Sequence, residues 1–273
     1  MKTKSLFLLV IFSLTFHLFA CAADKTPAKP TIQVPKASKP VAIDGNLDEY
    51  GAPEIRMADK SFEKLQYLEY GGKDDISSDI YLLWDDGALY IAAKITDDKP
   101  FMNRQEGPDI WNGDAVEILL GMDEKADPER IYFGKSDYQI GLSPGNNKEI
   151  KAGEWVWRRD DYQSGIEVAS KPWEKGYIIE AKVPFKVLGG YKPALGKRID
   201  FNIAVDDSAA DKRDAQIVWT GSKNFYNSPA EWGVAVLAAP QAAFAVSLSG
   251  AITVIIGIVI IVVFITFAAH RPK

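Results

Sequence analysis

The chain has 273 residues, 47% of them apolar, with 32 Lys+Arg, 37 Asp+Glu, one Cys and two His; that length holds one sizeable domain or two small ones. One cysteine excludes a disulfide framework and any four-thiolate metal site. With His17 and His270 in or beside the terminal apolar runs, the middle of the chain also lacks the histidine needed for Ser-His-Asp or Cys-His chemistry, His-rich metal sites or His-ligated haem. Without Lys2, Lys4, Arg271 and Lys273, residues 24–240 carry 28 bases and all 37 acids, a net of −9, which disfavours nucleic acid, whose affinity comes from neutralised phosphates.

In chain order, Lys2 and Lys4 precede the apolar stretch Leu6–Ala20, too short to span a bilayer comfortably, so residues 1–22 are expected to be a signal peptide. Two cleavage readings stay open. Leu18-Phe19-Ala20-Cys21 resembles a lipoprotein lipobox, which would lipidate Cys21, whereas Ala20-Cys21-Ala22 is a small-x-small site whose cleavage removes the only thiol. Residues 23–40, rich in Pro and Lys, read as an extended linker.

From 41 to 239 short apolar runs alternate with turns. Val41–Ile43 runs into Asp44-Gly45, and Ile80–Trp84 and Ala88–Ile95 flank Asp85-Asp86-Gly87 as a hairpin. Further strands are expected at Ala115–Leu120, Tyr138–Leu142, Glu154–Arg158, Gly165–Ala169, Tyr177–Val183, Ile199–Val205, Ala215–Trp219 and Gly233–Leu237. Only Lys60–Leu68 and Pro184–Leu188 have a helical pattern, and both are short. The fold class this implies is all-β, an antiparallel β-sandwich of jelly-roll type. The apolar run Leu248–Ala269 is long enough to cross the ~30 Å hydrocarbon core, so residues 246–269 are expected to form a transmembrane helix. The basic tail 270–273 would then be cytoplasmic and the acidic domain extracytoplasmic.

One ordered series of motifs runs through the domain. It begins with Ile43-Asp44-Gly45-Asn46-Leu47-Asp48-Glu49-Tyr50, then Ala88-Leu89-Tyr90-Ile91 with Asp97-Asp98, then Trp111-Asn112-Gly113-Asp114-Ala115-Val116-Glu117-Ile118. Gly176-Tyr177-Ile178-Ile179-Glu180-Ala181-Lys182-Val183-Pro184, Ile199-Asp200-Phe201-Asn202-Ile203 and Pro229-Ala230-Glu231-Trp232-Gly233 follow. The series resembles the family 9 carbohydrate-binding modules and the related DOMON-like sandwiches. The resemblance implies a non-catalytic β-sandwich that takes a mono- or oligosaccharide, or a polysaccharide end, between two tryptophans. Trp111 matches one lid, with Glu117 as its acidic partner. Trp219 matches the second, with Gln216 where the family pattern expects Asn, and the family's arginine contact falls nearest to Arg130. No cofactor is required, although some relatives hold structural calcium.

The residue types suit that chemistry, because a sugar needs aromatic plates for its C–H faces and fixed polar groups for its hydroxyl rim. Alternation sets Val116, Ile118 and Leu120 on one face and Glu117 on the other, where it either meets a ligand or is a solvated carboxylate. Gln216 and Trp219 fall on opposite faces, so Trp219 either reaches the site past the strand end or packs in phase with Ile217. Asn224 and Tyr226 are candidate rim contacts. Trp155 and Trp157 share a strand face, as a further platform or a packed surface. For a cation, Asp97-Asp98 and Asp206-Asp207 with Asp211 offer clustered oxygens at strand ends. Two other functions remain open: a DOMON-like haem ectodomain using Met57, Met102 or Met122, and a structural or sensory ectodomain that binds no sugar.

Overall fold

The computed structural model describes residues 28–58, 70–160, 165–210 and 212–241. Its strands are β1 Thr31–Pro35, β2 Ile55–Met57, β3 Ile76–Trp84, β4 Ala88–Asp97, β5 Ala115–Gly121 and β6 Asp137–Ser143. They continue with β7 Gly153–Trp157, β8 Glu167–Trp173, β9 Gly176–Pro184, β10 Arg198–Asp207, β11 Ala215–Val218 and β12 Gly233–Ala238. These form two sheets. The seven-stranded sheet runs β1-β12-β10-β5-β6-β7, with β11 also on β10; the five-stranded sheet runs β2-β3-β4-β9-β8. β12 pairs with β10 at Arg198–Phe201 and β11 with β10 at Ala204–Asp207, so both follow one another along the edge of β10 that faces away from β5.

Alternation builds the core. Val116, Ile118 and Leu120 of β5 and Phe201, Ile203 and Val205 of β10 meet Ile80, Leu82, Ile91, Ile95, Ile179 and Val183 of the other sheet. Burying each side chain contributes roughly 1.5–3 kcal/mol. The expected β3–β4 hairpin forms in the register Trp84↔Leu89. Asp85 closes it by accepting the N–H groups of Gly87 and Ala88 and the Tyr90 hydroxyl.

Each sheet is also covered on its outer face. Over the five-stranded sheet lie Val41, Ile43 and Tyr50, packed on Leu83, Ala88 and Tyr90. The Asp44-Gly45 turn is a lock: Glu180 of β9 accepts the N–H groups of Asp44 and Gly45 and the Tyr50 hydroxyl, each at 3.0 Å. Gly45 has φ +75, and a Cβ there would stand 2.8 Å from the Lys171 Cβ. Over the seven-stranded sheet, Phe225, Trp232 and Phe133 bury Leu119, Ala204 and Val218.

Some expectations need correcting. Thr31–Pro35, within the segment read as linker, is a strand parallel to β12, and it extends the sheet because Val34 reaches the core. Val41–Ile43 is not a strand but a packed loop, and Pro184–Leu188 passes from the end of β9 into turns. Among the described residues no helix is long and apolar enough to cross a membrane. Leu6–Ala20, Cys21, Lys60–Leu68, Asp211 and 246–273 lie outside the described residues.

Candidate functional site

A cavity of about 390 Å³ opens on the outer face of the seven-stranded sheet. Its floor comes from four strands. Glu117 of β5 stands in register with Gly141 of β6 and Ala204 of β10, while Asp206 of β10 faces Gln216 of β11. Glu117 points here because Val116, Ile118 and Leu120, on the other face of β5, fill the core.

A dense hydrogen-bond network fixes the floor. Glu117 Oε2 accepts from Gln139 Nε2 at 2.7 Å, and Oε1 from Gln216 Nε2 at 3.0 Å. Gln216 Nε2 also donates to Asp206 Oδ1 at 2.5 Å. Arg213 Nη1 lies 2.6 Å from Asp206 Oδ1 and 3.4 Å from Glu117 Oε1, bridging both carboxylates. Burial raises the Asp206 carboxyl well above the usual carboxylate range, and the Arg213 guanidinium opposes that rise. Among the described residues, the second Asp206 oxygen and Gln216 Oε1 are buried without a hydrogen-bond partner.

The walls are aromatic. Trp111 sits in the 3-10 helix Gly107–Asn112, where buried Ile110 anchors the turn and leaves the next side chain 37% exposed. The Arg213 guanidinium lies 4.7 Å from the Trp111 ring centroid, and its backbone N–H donates to Asn112 Oδ1. Trp157 donates from Nε1 to the Pro108 carbonyl at 2.9 Å. Tyr226 and Arg158 close the rim, with Arg158 bonded to Asn227 Oδ1 and stacked 4.2 Å over Phe133.

Of the expected sugar contacts, Trp111, Glu117 and Gln216 come together here. Trp219 does not. It is 7% exposed in the core, 5.9 Å from the Phe201 ring, and a Cβ on Gly233 would meet its own ring at 2.6 Å. Alternation continues past the end of β11, keeping Trp219 in phase with Ile217. Arg130 also lies elsewhere, paired with Asp137 and Asp200, and Asn224 is an exposed turn residue whose carbonyl caps Asn227 and Ser228. Gln139, Arg158 and Arg213 were not picked out from the sequence. Gln139 was discoverable through its alternation in β6, but Arg213 sits in an aperiodic loop.

A second cluster lies at the ends of β4, β5 and β10, where one carboxylate oxygen each from Asp97, Asp114 and Asp207 fall within 4.8 Å of one another. Asp98 points to solvent and Asp206 to the cavity floor, so neither joins it; Asp114 takes their place. Burial, followed by the neighbouring carboxylates, pushes Asp207 up to about 8. Burial likewise raises Asp97 to about 6 and holds Asp114 well above its usual range. Among the described residues the buried Tyr177 hydroxyl has no hydrogen-bond partner, and it is raised by burial and by the same three acids. Three sequestered carboxylates suit a hard cation with oxygen ligands. Met57 and Met122 are core side chains, and the Met102 N–H is bonded to Asp114.

Comparison with known proteins places this architecture. The model of the family described as "Carbohydrate family 9 binding domain-like" matches residues 43–239. Endo-1,4-beta-xylanase C of Paenibacillus barcinonensis is 24% identical over 196 residues, which are 69% of this chain and only 17% of that enzyme. A family 9 carbohydrate-binding module from Caldicellulosiruptor kristjanssonii, solved with cellotriose, is 20% identical with a TM-score of 0.54 over 80% of this chain and 97% of that one. The module solved with glucose is 21% identical, with a TM-score of 0.56 over 79% of this chain and 100% of that one. At these identities the likeness to the solved modules is one of fold. Matching from the Asp44-Gly45 lock through β12, the chain belongs to the carbohydrate family 9 binding domain-like family.

Proposed function

We propose that this chain is a non-catalytic carbohydrate-binding module that holds a sugar in the cavity on its seven-stranded sheet. The observation that carries the reading is the pairing of aromatic walls, Trp111, Trp157 and Tyr226, with a hydrogen-bonded floor of Glu117, Gln139 and Gln216. The walls suit the C–H faces of a pyranose and the floor its hydroxyls. The glucose and cellotriose bound by the solved relatives support the same class of ligand. Glu117 and Asp206 are bridged through Arg213 and Gln216 rather than set across an open slot, which suits recognition better than paired acid–base hydrolysis.

The module is membrane-tethered and extracytoplasmic, a reading supported by the apolar run Leu248–Ala269 with its basic tail and by the signal-like N-terminus. Asp97, Asp114 and Asp207 would hold a calcium ion, which neutralises their charge and ties the ends of β4, β5 and β10 together.

Calorimetric titration of the chain with glucose, cellotriose and a wider pyranose panel tests the central claim. Weak but saturable heats are expected, and Trp111→Ala, which removes one wall of the cavity and the ring on which Arg213 rests, is expected to weaken binding severalfold. No heat with any sugar would remove the reading, and steady release of reducing ends from a polysaccharide would replace it with an enzyme.

A further inference from the structure

The aromatic walls of the cavity are not equivalent, and the difference identifies the plate on which a ring can lie. Trp111 has the Arg213 guanidinium 4.7 Å from its centroid, held there by Asp206 and Glu117. Atoms in van der Waals contact stand about 3.5–4.0 Å apart, so an intervening ring needs roughly twice that spacing. No sugar ring fits between Trp111 and Arg213. Trp219, the second lid implied by resemblance, is packed against Phe201 and cannot reach the cavity.

Trp157 is placed differently. It is half-buried on β7, and its indole N–H is spent on the Pro108 carbonyl, which fixes the ring's orientation. The ring overhangs Gly141, where an added Cβ would collide with it and come within 2.8 Å of Ile110 Cδ1. Gly141 lies inside a strand that has partners on both sides, where glycine weakens the strand unless something needs the space. The overhanging indole accounts for it. Gly141 is also in register with Glu117, so Trp157 is seated beside the floor carboxylate that Gln139 holds at 2.7 Å.

We propose that Trp157 is the stacking plate of this cavity. It takes the C–H face of a neutral pyranose whose edge hydroxyls reach Glu117 and Gln139, while Arg213 holds Trp111 as a fixed opposing wall. This assignment rests on the carbohydrate reading of the cavity.

The test uses the full-length chain in a sugar-free detergent, titrated with glucose and cellotriose as wild type, Trp157→Ala, Trp157→Phe and Gly141→Ala, each checked by thermal melting. Trp157→Ala is expected to lose at least about tenfold in affinity and Trp157→Phe less. Gly141→Ala, whose methyl lifts the ring from its seat, is expected to weaken binding with Trp157 still present. Sugar should shift the tryptophan emission of the wild type, and this shift should be smaller in Trp157→Phe. Variants binding within about twofold of the wild type, with the emission shift retained in full, would overturn the assignment and leave the carbohydrate reading standing. Should Trp157→Ala not fold, affinity and emission of Trp157→Phe decide. A wild type that binds neither sugar, nor any other pyranose offered, overturns the carbohydrate reading and this assignment with it.

Discussion

Stripped of divalent cations, the chain is expected to be less stable at about pH 8 than at about pH 5, and calcium is expected to narrow that gap. The cause is the buried set Asp97, Asp114 and Asp207. In the unfolded chain an aspartate releases its proton near pH 4 (approximately), whereas one raised in the fold keeps it to higher pH. Burial raises Asp97 to about 6 and Asp207 to about 8, and Asp114 shifts the same way. Between those limits the folded state binds more protons than the unfolded one, so stability is fullest below the unfolded value and falls as pH rises through 6 and then 8. The loss is on the order of a few kcal/mol. A cation competes with these protons and gains as they leave, so its stabilisation grows with pH. At about 100-fold over its dissociation constant it supplies about 2.7 kcal/mol. For a domain of this size that is a rise in melting temperature of roughly 5–10 °C. Melting curves with chelator and with calcium at the two pH values check this. Asp114→Asn should abolish the calcium increment, and a melting temperature indifferent to calcium at both pH values would refute the site.

Arg130→Ala is expected to destabilise the fold by about 3–5 kcal/mol, as breaking a buried ion pair does, while leaving the sugar affinity of the folded fraction unchanged. Its guanidinium spans three adjacent strands. Nε and Nη2 take both oxygens of Asp137 at 3.1 and 2.6 Å, and Nη1 takes Asp200 Oδ2 at 2.8 Å. Asp200 of β10 and Asp137 of β6 flank Gly121 of β5 in one register row, and a Cβ on Gly121 would come 2.6 Å from Arg130 Nη2. The glycine makes room for the arginine, and the arginine neutralises the two acids on either side. Removing it leaves Asp137, whose side chain is 3% exposed, without its counter-charge. Urea unfolding of Arg130→Ala and Arg130→Lys, with glucose titration of each, separates the roles: Lys should restore part of the stability through one point charge. Unchanged stability with lost sugar binding would instead return Arg130 to the site.

Period-two alternation, turn chemistry and the missing histidines determined much from the sequence alone. The strands expected between Ile80 and Leu237, though that at Gly165–Ala169 lies at Glu167–Trp173, the Asp85-Asp86-Gly87 hairpin and the all-β class were legible because each depends on neighbours in the chain. Alternation also put Glu117 and Gln216 outside the core and set Trp219 on the opposite face from Gln216. What it left open was which outward face is covered and by what. Trp219 turns into the core because Phe201 and Gly233 leave space for it there. Trp157 turns to the cavity because Gly141 lies beneath it, and β1 forms because β12 offers an unpaired edge to a segment whose Pro and Lys content resembles a linker. Asp114 joins Asp97 and Asp207, and Arg213 reaches Trp111, only when distant loops are brought together. Such contacts leave no local periodicity, so tertiary packing alone decides them.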